Sequence, residues 1–527
     1  MGGSVEGPRP AVPRVAFVLA AIAGALAFIA AQPYPGVTVD SGEYLAVADG
    51  LANGHGYTMP YASYDEAFRV IEPGERVPMT QFPPLYPTLL ALVHSAGLSL
   101  LGAARLIGAV TFAATALSAC LLVWRYTRRE LLVIVAGCLL IAPELLTLHA
   151  MAWTEPLMVL ATLGALHFTV RYVESEAVHH LAVAGACGSL ASLARFAGIS
   201  VIVTVGLAIL MVHAWPLRKR LRRASVVVAA SSVPVALWFV RNAAVAGVAS
   251  EKKPAWHPPS GRHFTQAIET LGGWVQPFAP AAFVVGLLVA AAGLVGAILL
   301  LRALMGRGAG SLPSAGLLFA LVYLAFLLLS RSVLDQNIPF DARLLSPVQV
   351  LVVVGLCSAV TRIGREQMQW AAYALAILAL IAVVRSVTTT IGFSGSAVAA
   401  YSGDEWRASE TLAFAGSLPV STIIITNAPD PIWLWHERAP LIIPPRSSLY
   451  SGEPNANYSA QVDEILQRTA CERAVVVFFS QPTRKPPRTI DPVVVDGLGL
   501  AEIHRFEDGR SFEVEEPIED CDRAGKL

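Results

Sequence analysis

Between residues 15 and 386 the chain returns repeatedly to stretches with few or no charges, each about 17 to 25 residues long, the length a helix needs to cross a hydrocarbon core. About eleven such candidate spans lie near 15–32, 106–124, 131–149, 155–172, 180–194, 197–215, 224–240, 281–301, 313–330, 345–361 and 369–386. In lipid every backbone amide and carbonyl must be satisfied within the protein, so an apolar chain of this kind is restricted to a bundle of helices. Composition agrees: 55% of the residues are hydrophobic and 14% charged, where a soluble domain carries roughly a quarter charged residues. The first run resembles a secretory leader, but it is long and many spans follow it, so it is read as a retained helix. Basic and acidic residues balance at 38 each, which supplies no positive field for nucleic acid.

Where the charges sit is more informative than their sum. Arg125, Arg128 and Arg129 follow the second span, "RKRLRR" (218–223) the sixth, Arg302 and Arg307 the eighth, and Arg362 and Arg365 the tenth. All fall on one side if the first span runs outward, so the positive-inside rule predicts a cytoplasmic N-terminus, a multi-pass plasma-membrane protein and a C-terminus outside. Two larger pieces then face out, the first loop (33–105) and a tail. The expected organisation is a membrane domain over 1–386 and an extracytoplasmic domain over 387–527. In the tail, "STIIIT", "PLIIP" and "RAVVVFF" alternate with helical stretches near 404–417 and 459–470, and "AEIHRFEDGRSFEVEE" predicts a hairpin turning at Asp508-Gly509 in a type I′ turn. A small α/β domain is the expectation. Cys120, Cys138, Cys187 and Cys357 lie in apolar spans and are read as packing residues, whereas Cys471 and Cys521 are a candidate disulfide in an oxidising compartment.

An ionisable side chain at mid-membrane costs about 2.5 to 3.5 kcal/mol unless a cavity or partner receives it. Several nevertheless gather at the expected outer ends of the spans: Asp40 and Glu43, Glu144 and His149, Glu155, Arg195, Arg241, and Asp341 with Arg343. Taken singly, each has an ordinary explanation. Arginines snorkel, an acid in a first helical turn is favoured by the helix dipole, histidines pack, and Asp40-Ser41-Gly42-Glu43 matches a capping box with Asp40 as cap and Asn53-Gly54 as the stop. Taken together they outline a pocket of acids and cations. Tyr44, Tyr57, Tyr86 and Trp153 offer rings at the same face, either to stack on a sugar or as an interfacial belt. No cofactor is called for. No Cys/His cluster or metal-ligand spacing supports a dedicated metal site, although the acids leave a divalent ion open.

"DSGEYLAVADGLANGHGY", "FPPLYPTLLAL" and "AARLIGAVTFAATALSACLLVWRYTRR" resemble the opening of the GT-C-fold membrane glycosyltransferases that use polyprenyl-phosphate sugars, the superfamily of protein O-mannosyltransferases and lipid A aminoarabinose transferases. "AWTEPLMVLATL", "ASLARFAGISVI", "VPVALWFVRNAAVAG" and "DARLLSPV" resemble later segments, in matching order over residues 15 to 361. The resemblance implies a catalytic aspartate at Asp40 and a lipid-phosphate sugar arriving sideways from the bilayer. The sequence also departs from that pattern. Where members near the aminoarabinose transferases read D-E-x-R-Y and E-K-P-P-x-x-Y, this chain has Asp40-Ser41-Gly42-Glu43-Tyr44 and Gln81-Phe82-Pro83-Pro84. Glu43 then stands in for the second acid, and the lysine's duty passes to Arg195, Arg241 or Arg343, which spacing does not distinguish.

The chemistry suits these residue types. A sugar phosphate carries its own stable leaving group, so one base and fixed positive charge suffice. The expected function is inverting transfer from a polyprenyl-phosphate sugar to an acceptor hydroxyl on protein, lipid or glycan. Asp40 and Glu43 are the catalytic candidates, and Tyr44, Tyr86, His149, Glu155, Arg195, Arg241 and Arg343 the binding candidates. A secondary transporter is the alternative, but it should show an internal repeat with paired broken helices, and none is visible.

Overall fold

The computed structural model describes residues 13–61, 75–250, 252, 254–275, 279–307, 312–362, 365–393, 401–448, 450–471, 474–480 and 500–513. The membrane part contains α1 (Arg14–Ala30), α2 (Val39–Ala52), α3 (Leu85–Ser95), α4 (Leu100–Thr127), α5 (Glu130–Leu140), α6 (Pro143–Ala150), α7 (Glu155–Ser175) and α8 (Val178–Ala194). It continues through α9 (Ile199–Leu210), α10 (Leu217–Ala246), α11 (Gly261–Gly273), α12 (Ala279–Arg307), α13 (Leu312–Val333), α14 (Ala342–Ala359) and α15 (Arg365–Phe393). Among the described residues seven of these, α4, α7, α10, α12, α13, α14 and α15, are long and apolar enough to cross a membrane. Pro143 breaks the third expected span into α5 and α6, bent by 58°, which together make an eighth. The remaining three expected spans are the shorter apolar helices α1, α8 and α9. All eleven apolar runs are thus helical, in a multi-pass membrane protein, although fewer than eleven qualify by length.

The main apolar cluster draws on α1, α4–α10 and α13–α15. Small residues set how closely the helices approach. A methyl group on Gly108 of α4 would stand 2.1 Å from the carbonyl oxygen of His149 at the end of α6, so these backbones cross in near contact. Gly108→Ala is expected to cost about 1 to 3 kcal/mol through overpacking, read as a lower thermal midpoint in detergent. An unchanged midpoint would show that the crossing relaxes freely. At the other extreme, α12 is exposed along almost its whole apolar length, as a helix facing lipid requires.

The first loop contains α2, the short antiparallel pair β1 (Thr58–Met59) and β2 (Val77–Pro78), and α3. α2 begins two residues earlier than a cap at Asp40 would place it. Thr38 is the N-cap and Asp40 lies inside the first turn, so its carboxylate is not consumed as a cap. The helix stops where Gly54 takes up a φ of +80°, a left-handed step that glycine makes without strain.

The tail holds α16 (Asp404–Arg407), α17 (Glu410–Ser417), β3 (Ile423–Thr426), α18 (Pro429–His436), β4 (Leu441–Ile442), α19 (Tyr458–Cys471), β5 (Ala474–Phe479), β6 (Ala501–Arg505) and β7 (Gly509–Glu513). One sheet runs β4-β3-β5-β7-β6, parallel across β4, β3 and β5 and antiparallel through the hairpin. The helix expected over 404–417 is two, because Ser409 caps a fresh start by accepting from the Leu412 amide at 2.9 Å. The hairpin forms, but Phe506 bonds Gly509 across the turn. Its central residues are therefore Glu507 and Asp508, neither of them left-handed, so the expected type I′ turn at Asp508-Gly509 is not what closes it. The proposed partner of Cys471, Cys521, lies outside the described residues.

The tail is joined to the membrane part through the segment that leads into α2. Gly36 bonds Ala150 and Ala152 on one side, at 3.1 and 2.9 Å. On the other, the Tyr401 amide donates to Val37 O at 2.9 Å and the Ser402 hydroxyl to Pro35 O at 2.8 Å. A second apolar cluster runs from α2 and α3 through to β3, α18 and β5.

Candidate active site

Four charged side chains from four places in the chain meet above the bundle. Glu155 opens α7, followed by Pro156, which tolerates a first helical turn, where the dipole favours an acid. Arg195 follows the last residue of α8 in extended conformation. The chain doubles back there so tightly that a methyl on Gly198 would meet the Ala191 carbonyl oxygen at 2.1 Å. Arg343 lies in the first turn of α14, which Asp341 caps by accepting from the Leu344 amide at 3.1 Å. A cation in a first turn opposes the helix dipole. Such a local conflict is held only by a stronger tertiary partner and marks sites kept for a purpose.

The partners are carboxylates. Arg343 Nη2 donates to Asp40 Oδ2 at 2.6 Å, while its Nε bonds Glu155 Oε1. Arg195 Nη1 reaches the same Glu155 oxygen at 2.8 Å. Thr154 donates to the other Glu155 oxygen at 3.3 Å. The indole of Trp153 lies 4.6 Å beneath the Arg343 guanidinium and donates to Thr38, the cap of α2, at 3.1 Å. Two cations and two anions balance around an almost completely buried Glu155, while Asp40 retains 31% side-chain exposure. Glu155 holds the cations in place and Asp40 is the member that faces outward.

Glu43 sits one turn along α2 and is buried. Tyr44 and Tyr86 are buried too, edge to face with centroids 5.5 Å apart, and Phe82 completes the group 4.8 Å from Tyr44. Burial pushes the Tyr44 phenol well up, with Asp40 adding to the rise. These rings support the site from inside and present no face for a sugar. Arg241 is placed apart from the four charges. It donates to the carbonyls of Met79 at 2.7 Å and Tyr57 at 3.1 Å, over the ring of Trp238, so it clamps the first loop to α10. His149 stacks on Phe112 at 4.3 Å, completely enclosed, with Nδ1 bonded to Leu145 O. Glu144 pairs with Arg385 at 2.8 Å. Among the described residues no group of three or more His, Cys, Asp or Glu converges as metal ligands.

Thr154 and Asp430 escape sequence reading. Thr154 attracts notice only beside Glu155, and Asp430, on α18 in the tail, packs against Gly42 of α2. It lies 388 positions beyond Gly42, and nothing in its own neighbourhood signals the contact.

No protein-family model matches the sequence, and no curated protein matches it. Solved structures do match in fold. ArnT from Cupriavidus metallidurans bound to undecaprenyl phosphate is 14% identical, with 96% of this chain and 98% of that one covered and a TM-score of 0.59. Its apo state gives a TM-score of 0.62 over 95% and 97%, again at 14% identity. The oligosaccharyltransferase AglB from Archaeoglobus fulgidus, in complex with an inhibitory peptide and a dolichol-phosphate, covers 88% of this chain and 69% of its own at 13% identity, with a TM-score of 0.53. The architecture is the GT-C fold of polytopic membrane glycosyltransferases. The likeness to the ArnT structures runs through the tail domain as well as the bundle.

Proposed function

We propose that the chain is an inverting glycosyltransferase that moves a sugar from a polyprenyl phosphate to an acceptor hydroxyl at the outer membrane face. The observation that carries this reading is the fork of Arg343 between Asp40 and Glu155, with Arg195 on the same carboxylate. Guanidinium groups pair with phosphate through two parallel hydrogen bonds. A donor phosphate arriving at Arg343 competes with Asp40 for the same nitrogen. Its binding therefore frees the Asp40 carboxylate at the moment a base is needed, while Glu155 keeps both arginines in position.

The step balances without a general acid. The acceptor oxygen attacks the anomeric carbon, the bond from that carbon to the phosphate oxygen breaks with its electron pair on the phosphate, and the hydroxyl proton passes to Asp40. Arg343 and Arg195 stabilise the charge as it grows on the leaving oxygens. Attack from the side opposite the phosphate inverts the anomeric centre. The acceptor hydroxyl belongs to a protein, lipid or glycan.

The opposite end of the bundle supports the orientation. Glu174 is 19 residues along α7 from Glu155, about 29 Å at 1.5 Å per residue, and there Arg125 pairs with Glu174 at 2.7 Å and Lys219 with Glu176. The basic connections thus lie at the other end of α7 from the Asp40 cluster, which supports a cytoplasmic position for them and an outer one for the site.

The test is a panel of synthetic undecaprenyl-phosphate sugars offered to the purified protein in liposomes with simple alcohols as acceptors. Release of undecaprenyl phosphate and a product of inverted anomeric configuration by NMR are expected. Retained configuration would remove the single-base mechanism. Solute flux that needs no lipid-linked sugar, with no donor consumed, would favour transport instead.

A further inference from the structure

Asp430 stands in the first turn of α18, directly after β3, and is 1% exposed. It lies where α18 packs on α2. A Cβ built on Gly42 would come within 2.5 Å of Asp430 Oδ1 and 2.9 Å of its Cβ, so the carboxyl occupies the space that a side chain on α2 would otherwise take. Tyr61 donates to Oδ1 at 2.9 Å. The other oxygen, Oδ2, is enclosed without a hydrogen-bond partner among the described residues. A buried carboxylate so poorly solvated is costly, whereas a neutral carboxyl is tolerated.

We infer that Asp430 is a positioning residue for Asp40, the carboxyl through which the C-terminal domain seats the first turn of α2. Gly42 is two residues from Asp40 on that turn, and the chain just before it is already held by Tyr401 and Ser402. The tail therefore grips the helix that carries Asp40 both at its lead-in segment and at its first turn. Around Asp430, α2 carries Asp40, Glu43 and Tyr44, the loop supplies Tyr61, α17 carries the exposed Glu410, and His436 ends α18. Burial pushes the Asp430 carboxyl up to about 7 against the Tyr61 and helix-amide hydrogen bonds, and the charge on Asp40 adds to the rise.

The sign follows from linkage. The seated carboxyl holds its proton more tightly than one released to water, so seating is strongest at low pH. It weakens as pH rises from the ordinary aspartate range and levels off once pH passes about 7. The seating does not depend on the glycosyl-transfer reading; only its effect on rate rests on Asp40 being the base.

Hydrogen exchange of the full-length protein in detergent, corrected for the intrinsic pH dependence of exchange, reads the seating directly. In the wild type, protection of peptides spanning α2 is expected to fall on the order of tenfold per pH unit between pH 5 and 7 and then flatten. In Asp430→Asn, which keeps the shape and the acceptor for Tyr61, it should stay level. Gly42→Ala, whose methyl meets the carboxyl, is expected to lower protection at every pH. An identical pH response in wild type and Asp430→Asn would overturn the inference, as would a Gly42→Ala protein protected like the wild type. If the seating responds as expected but no donor is consumed, the transfer reading fails and the seating stands. If donor is consumed and the pH responses coincide, the reverse holds.

Discussion

Asp40→Asn should lower sugar transfer by about a hundred- to ten-thousand-fold, the usual cost of losing a positioned base, while the protein folds and inserts normally. The amide oxygen of asparagine still accepts from Arg343 Nη2, now 2.6 Å from Asp40 Oδ2, so the hydrogen-bonded frame survives and the proton acceptor is lost. The same substitution carries a second, opposite expectation. On the proposed reading Asp40 competes with the donor phosphate for Arg343, so a neutral side chain should bind undecaprenyl phosphate at least as tightly as the wild type does. A fall in turnover with undiminished lipid-phosphate affinity is the signature of a base. Near-normal turnover in the variant would remove Asp40 from the chemistry, and a parallel loss of both would mean that it serves only to hold Arg343.

Arg343→Ala is expected to affect both folding and rate. Glu155 is almost wholly enclosed and would keep only Arg195 and Thr154. Breaking a buried pair from one side costs about 3 to 5 kcal/mol because the remaining charge is left poorly compensated, and the thermal midpoint in detergent should fall accordingly. The rate should drop by about a hundred- to a thousand-fold through loss of charge stabilisation on the departing phosphate. Arg343→Lys separates the two effects. A lysine keeps a positive charge for Glu155 but lacks the planar fork that reaches two partners at once, so stability should largely return while turnover does not. Full activity in the lysine variant would show that charge alone is required and that the fork is incidental.

The two variants probe a division of labour visible in the burial of the carboxylates. Glu155, at the base of the cluster, pairs with two guanidinium groups and, on the proposed reading, holds them where a donor phosphate would meet them. Asp40, at the rim, is exposed enough to exchange partners. A pair of equally buried acids would be a structural network, and a pair of equally exposed ones would fix nothing.

Much of this was legible in the residues themselves. The eleven apolar runs are helices because, in lipid, no other local conformation satisfies the backbone, and the break at Pro143 follows from a missing amide. The alternating β-rich runs of the tail form the expected small sheet. Asp40, Glu155, Arg195 and Arg343 were marked by the cost of placing charges at the ends of apolar spans. Other readings did not survive contact with the fold. Arg241 looked like its two fellow arginines, yet it spends its hydrogen bonds on the carbonyls of Tyr57 and Met79. Tyr44 and Tyr86, offered by the sequence either to a sugar or to an interfacial belt, lie inside an aromatic group. His149 packs on Phe112. No spacing rule separates these outcomes, since each depends on what a distant segment places opposite.

What the linear chain determined is whatever follows from local energetics: where helices must form, which end of each carries charge, and which few charged groups require a partner. What tertiary structure alone decided is the pairing. The guanidinium of Arg343 meets carboxylates 188 and 303 positions away, and Asp430 meets Gly42 across 388 positions. Partnership between side chains falls steeply with distance in space and is indifferent to distance in sequence, so only the packed bundle, with its tail folded back on the first loop, could show which acid faces which cation.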